Sequence, residues 1–144
     1  MAVAHILRQK GSAVFTVELE APVQTIVNML ATHRIGAVVV VDPLGNLVGI
    51  VSERDVVRAM AGDVSGVFTK TANDIMTARV RTCTPSDSEA DLMQVMTENR
   101  IRHLPVVANG RLAGMVSIGD VVKFRIEAVE READHMKSYI ASAG

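Results

Sequence analysis

Ile35-Gly36-Ala37-Val38-Val39-Val40-Val41 returns sixty-six residues later as Ile101-Arg102-His103-Leu104-Pro105-Val106-Val107. One residue is then lost at the turn. Gly49-Ile50-Val51-Ser52-Glu53-Arg54-Asp55-Val56-Val57 returns, at an offset of sixty-five, as Gly114-Met115-Val116-Ser117-Ile118-Gly119-Asp120-Val121-Val122. Agreement over about forty positions marks the duplication of one structural unit. A site built by one half therefore has a counterpart in the other. The polar residues kept at a fixed distance after Gly, a Ser and an Asp, are where function is to be sought.

Working outward, each repeat reads strand, helix, strand, strand, helix. In the first, Val14 to Val17 is a short strand and Pro22 begins a helix, where its missing N–H costs nothing. Val23, Ile26, Val27 and Leu30 share one helical face. Ala37 to Val41 is a β-branched run typical of a strand buried on both sides. Asp42-Pro43-Leu44-Gly45 is turn chemistry, Leu47 to Val51 the next strand, and Glu53 to Met60 the next helix. In the second, Thr82 to Thr84 is the short strand, and Ser86 to Glu89 offers a capping box for a helix carrying Leu92, Val95 and Met96. Leu104 to Val107 and Leu112 to Val116 are strands joined by an Asn109-Gly110 hairpin turn. The last helix runs from Ile118 to about Tyr139, uninterrupted by Pro. Ala72 to Thr77 echoes Ala4 to Leu7, and both read as short helical lead-ins.

The expected architecture is α/β (α+β): two tandem β-α-β-β-α repeats sharing a core, with a long C-terminal helix. The division is 1–62 for the first repeat with its lead-in, 63–79 for the linker, 80–124 for the second repeat and 125–144 for the helical extension. A unit of roughly 60 residues buries too little surface to stand alone, hence the shared core. Apolar residues make up 49% of the 144, with no Trp and one Tyr, so Val, Ile, Leu, Met and Ala must build it.

The net charge of −1 supplies no global field to recruit nucleic acid or anionic lipid. Ala37 to Val41 is too short to cross a bilayer, and the first ten residues lack a secretory apolar stretch. Cys83 is alone, which suits a reducing, cytoplasmic setting. Of the four histidines none forms the i, i+4 pair of a helical zinc site, and one Cys makes no zinc cluster, so no metal is expected. A Cys83–His103 nucleophilic pair is not asked for by the spacing.

Gly-x-x-Ser-x-x-Asp, at Gly49/Ser52/Asp55 and Gly114/Ser117/Asp120, reads in two ways. As structure it is a capping-box variant, with Ser52 and Ser117 as N-caps and Asp55 and Asp120 in the first turn. As function it stands where a strand ends and a helix begins. Backbone N–H groups there bind phosphate, a Ser hydroxyl joins them as donor, and a carboxylate one turn on accepts a ribose diol. Gly49 and Gly114 leave room for a flat base.

The chain resembles a tandem pair of CBS domains, the Bateman module, from about Val3 to Phe124. The resemblance rests on Arg100-Ile101-Arg102-His103-Leu104-Pro105-Val106, on Asp74-Ile75-Met76-Thr77 and on the two Gly-x-x-Ser-x-x-Asp motifs. It implies a regulatory fold that binds adenosine-containing ligands: AMP, ADP, ATP, NAD(H) or S-adenosylmethionine. It implies that the Asp holds ribose, that the Ser reaches phosphate, and that the strand of one repeat completes the site of the other. One cleft then combines Ser52, Arg54 and Asp55 with Arg102, His103, Leu104 and Pro105. The second combines Ser117 and Asp120 with Ile35, Gly36, Ala37 and Val38. The first repeat departs from the pattern by having Ala37-Val38-Val39 for His103-Leu104-Pro105, so the two clefts are not expected to be equivalent. The resemblance further implies a homodimer formed through helices and, since repeats and one helix consume the sequence, a separate regulated partner. The competing readings are a structural dimer with vestigial sites and a small nucleotide-processing enzyme using His103 or Glu53.

Overall fold

The computed structural model describes residues 2–143. Its elements are α1 (Ala2–Lys10), β1 (Thr16–Glu18), α2 (Val23–His33), β2 (Ala37–Val41), β3 (Leu47–Ser52), α3 (Glu53–Gly62), a 3-10 turn at Val67–Thr69, α4 (Ala72–Ile75), α5 (Glu89–Asn99), β4 (His103–Ala108), β5 (Arg111–Ser117) and α6 (Ile118–Ala143). In the first sheet β1 runs parallel to β2, and β2 antiparallel to β3. The second sheet is the antiparallel pair β4–β5.

The duplication is visible bond by bond. Val39 faces Ile50 in one sheet, and Pro105 faces Met115 at the equivalent register in the other. Each hairpin has a register shift at the same place, after Val40 and after Val106. The Asn109-Gly110 turn places both residues at positive φ, 54° and 74°, as the tight hairpin turn requires.

Three expectations are corrected. Thr82 to Thr84 does not form a full strand: only Cys83 bridges, in parallel, to Val106. Pro85 follows directly and has no N–H to continue the ladder. The α5 capping box belongs to Ser88 and Asp91, not to Ser86 and Glu89. Ser88 accepts from the Asp91 amide at 3.2 Å, and Asp91 accepts from the Ser88 amide at 3.0 Å. Ser86 instead shares a hydroxyl contact with Thr84 at 3.0 Å. Finally, α6 continues past Tyr139 to Ala143.

The halves share their core by exchanging lead-ins. One buried cluster surrounds the second sheet with Leu92, Met96, Leu104 and Val116, and it takes in Val3 and Ile6 from α1. The other surrounds the first sheet with Ile26, Leu30, Val38 and Val51, and it takes in Ala72 from α4. Backbone bonds fix the exchange. The Ala4 amide donates to the Pro85 carbonyl at 3.2 Å, and its counterpart Asn73 donates to Leu19 at 2.9 Å. Each repeat thus caps its partner's core, which is why neither unit needs to be stable alone. Among the described residues no helix is long and apolar enough to cross a membrane.

Candidate functional site

Strand β3 ends at Ser52 and α3 begins at Glu53, so the capping geometry sets the floor of a cleft. Ser52 is the N-cap. The Asp55 carboxylate accepts from the Ser52 amide at 2.8 Å and from its hydroxyl at 3.0 Å. Its other oxygen accepts from the Thr77 hydroxyl at 3.1 Å. Asp55 is 7% exposed and is the only buried charged residue among those described. Two carboxylate oxygens offer about four acceptor sites, so three bonds leave room for a further donor. The capping box is therefore present, and it does not exhaust the group.

Asp55 opens onto a cavity of about 400 Å³, within the range of small-ligand sites. Both repeats and the linker build it. Ser52, Arg54 and Asp55 come from the first repeat, and Arg102 and His103 from the second. These five expected residues are thus brought together. Six arginines line it (Arg54, Arg58, Arg79, Arg81, Arg100 and Arg102) against the carboxylates of Glu53 and Asp55. Ile50, Val80 and Ile101 add apolar wall. Burial pulls the His103 imidazole below its ordinary value, outweighing the opposite pull of Glu53. His103 is therefore neutral near neutral pH, and the positive field comes from the arginines.

Arg54 has a structural task at the rim. Its Nη1 donates to the Arg100 carbonyl at 2.8 Å, tying the two repeats together across the cleft. Arg100 itself sits in the left-handed region at φ 52°, as does its counterpart Arg34 at φ 53°. That conformation is sparsely populated for residues with a Cβ.

Other expected residues fall elsewhere. Leu104 is fully buried in the second core, and Pro105 is buried beside it in β4, so neither side chain lines the cavity. Gly36, assigned to the second cleft, lies on the wall of the first. A Cβ there would stand 2.8 Å from the His103 ring, so glycine is what allows the imidazole its place.

The second cleft is not a copy of the first. Ala37 and Val38 are buried in β2, Ile35 packs on the first core, and none of them lines a cavity at Asp120. Ser117 and Asp120 keep the capping geometry, with the Ser117 amide 2.8 Å from the carboxylate. The space beside Asp120 is only about 60 Å³, room for a water or two at about 30 Å³ each. Lys10 accounts for the difference. Its ammonium donates to Asp120 Oδ2 at 2.7 Å and to the Met115 carbonyl at 3.0 Å. Burial would raise the Asp120 carboxyl, but the Lys10 ammonium and the Ser117 amide outweigh it and hold it below its ordinary range. By the repeat, Lys10 corresponds to Arg79 of the open cavity. α1 stays helical to Lys10, whereas α4 stops at Ile75 and Thr77 bridges to Ile50. The two lead-ins thus deliver their cations differently.

Sequence reading missed Thr77, Arg79 and Arg81. The available signal was the pair of cations, Arg79 and Arg81, placed close together just ahead of the second repeat's first apolar run. Cys83 is buried, and burial pushes its thiol up to about 12, so it is no nucleophile at neutral pH.

The CBS domain model matches residues 4–62 and 72–127. Among solved structures, the CBS-domain containing protein ATU1752 from Agrobacterium tumefaciens is 43% identical, with a TM-score of 0.83 over 85% of this chain and 92% of that one. The CBS domain pair of protein MJ0100, in complex with 5′-methylthioadenosine and S-adenosyl-L-methionine, is 26% identical, with a TM-score of 0.77 over 88% and 96%. The CBS domain protein PAE2072 from Pyrobaculum aerophilum, complexed with AMP, is 27% identical, with a TM-score of 0.73 over 83% and 89%. The chain spans 57%, 32% and 66% of the first three curated relatives it matches.

Proposed function

Because this chain belongs to the CBS-domain family, we propose that it is a regulatory module that senses an adenosine nucleotide in the Asp55 cavity and acts on a separate protein. The observation that carries this reading is the meeting of a buried carboxylate, with acceptor capacity to spare, and a cluster of arginines in one cavity of about 400 Å³. Asp55 accepts from the ribose diol. Arg79, Arg81 and Arg102 take the phosphate, where guanidinium groups bind in a bidentate fashion. Ile50, Val80 and Ile101 enclose the base. The AMP and S-adenosylmethionine complexes of similar domain pairs support an adenosine-containing ligand. AMP, ADP, ATP and NAD(H) all meet these requirements. The working form is read as a homodimer in the cytoplasm, without metal, catalysis, nucleic acid or membrane.

Arginines against a phosphate predict a separable loss. Arg79→Ala and Arg81→Ala each weaken AMP by roughly tenfold or more, from the value of a charged hydrogen bond. They leave adenosine within about twofold, because the nucleoside offers them nothing. Calorimetry with both ligands reads the difference. Equal losses for adenosine and AMP contradict the assignment of these arginines. Conversion of any nucleotide to product on incubation contradicts the non-enzymatic reading.

Asp120 is reserved by the chain's own cation, and the space beside it is too small for a nucleoside. Lys10→Met therefore leaves the number of adenosine molecules bound per chain unchanged, while loss of the partly exposed ion pair lowers stability by up to about 1 kcal/mol. Equilibrium dialysis reads the stoichiometry and urea unfolding reads the stability. A second adenosine bound per chain, in the unaltered protein or in Lys10→Met, contradicts this account of the second cleft.

A further inference from the structure

The last helix leaves the body of the molecule. Every described residue from Val129 to Ser142 is exposed, a run of about 20 Å at 1.5 Å per residue. A helix of that length is marginal in water without a partner. This one also carries large apolar side chains: Val129, Met136 and Ile140 are 47%, 57% and 65% exposed. Both facts call for a covering surface.

The spacing of the apolar residues says what kind. Val122, Ile126, Val129, Ala133, Met136 and Ile140 follow one another at alternating steps of four and three. That is a heptad seam, with Ile126, Ala133 and Ile140 at one core position and Val122, Val129 and Met136 at the other. The seam faces away from the body, which α6 meets through buried Val121 and partly buried Phe124. A seam of this kind takes another helix with the same repeat, and a second copy of the chain supplies one.

The flanking charges choose the orientation. In a parallel, in-register pair each residue just before an Ile126-type position faces the residue five further along the other helix. Arg125 then meets Glu130 of the second copy, and Glu132 meets Lys137, so both charged pairs are attractive. An antiparallel pair with full overlap would set Glu130 against Glu130 and Lys123 against Lys137. Within its own chain Arg125 lies 3.8 Å from Glu89 but keeps 66% of its side chain exposed, so it is available.

We propose that two copies of this chain associate through a parallel, in-register coiled coil of α6 from Val122 to Ile140. This rests on the homodimer reading above and names its contact; it does not depend on the nucleotide.

Two variants that each add one cysteine, Ile126→Cys and Ile140→Cys, test orientation and register. Under mild oxidation each is expected to form a disulfide dimer with itself, while the unaltered chain, whose Cys83 is buried, does not. Both positions are exposed, so the body is spared. The double variant Ile126→Glu/Met136→Glu is expected to run at the mass of one chain by light scattering at micromolar concentration, where the unaltered chain runs at two. Failure of either variant to cross-link with itself, or cross-linking of Ile126→Cys only when mixed with Met136→Cys, overturns the parallel pairing. A dimer that survives the double variant overturns the seam and leaves the homodimer standing. A monomeric unaltered chain overturns both.

Discussion

Asp55→Ala weakens adenine-nucleotide binding by about ten- to a hundredfold and loosens the empty fold at the same time. The affinity loss follows from a charged hydrogen bond to a ribose hydroxyl, worth about 1.5–3 kcal/mol. The stability loss follows from what the carboxylate holds without ligand. The Ser52 amide and the Thr77 hydroxyl both donate to it, and truncation leaves them without that acceptor, at about 1–3 kcal/mol. Asp55→Asn separates the two effects. Its amide oxygen still accepts one of these bonds, so the fold is largely kept, while the ribose loses its charged acceptor. Calorimetry reads the affinity and urea unfolding of the empty protein reads the cap. An Asp55→Asn protein that binds adenosine as the unaltered chain does would show that Asp55 serves the helix alone.

Leu104→Ala costs about 2–5 kcal/mol of stability, the range for a leucine deleted from a packed core. Leu104 is fully buried among Leu92, Met96 and Val116. At this chain length each kcal/mol moves the melting temperature by about 2–4 °C, so a loss of several degrees or more is expected. AMP affinity at a temperature where the variant is folded changes little, because the side chain is not on the cavity wall. A selective loss of affinity with an unchanged melting temperature would return Leu104 to the ligand site.

The contrast between these two residues shows what the sequence could and could not carry. The duplication made the equivalence of the two hairpins legible, and the structure adds a shared register shift after Val40 and Val106. The Ser-x-x-Asp pattern made both helix starts legible, because capping is local chemistry. Local chemistry does not say where a short helix docks. Nothing in Ala4 to Leu7 says that α1 completes the core of the other repeat, and that crossing is what brings Lys10 to Asp120. The inequality of the clefts was expected from the missing His-Leu-Pro in the first repeat. The structure adds a different cause, a lysine 110 positions away from the carboxylate it occupies. Arg79, at the end of the linker, and Arg81, at the start of the second repeat, escaped for a related reason: neither lies in a helix or strand pattern, and only the fold gathers them with Arg102. Leu104 and Pro105 were named from their place in a motif; their side chains are buried in β4 and do not line the cavity, which leaves contact with a ligand to their backbone.

The central claim is that one cavity holds ribose on Asp55 and phosphate among the arginines. A crystal structure of the full chain grown with AMP tests it most directly. The account predicts the ribose diol within hydrogen-bond distance of the Asp55 carboxylate, the phosphate against Arg79, Arg81 or Arg102, and the base beside Ile50, Val80 and Ile101. A nucleotide bound away from this cavity, or an empty cavity at saturating AMP, would contradict it.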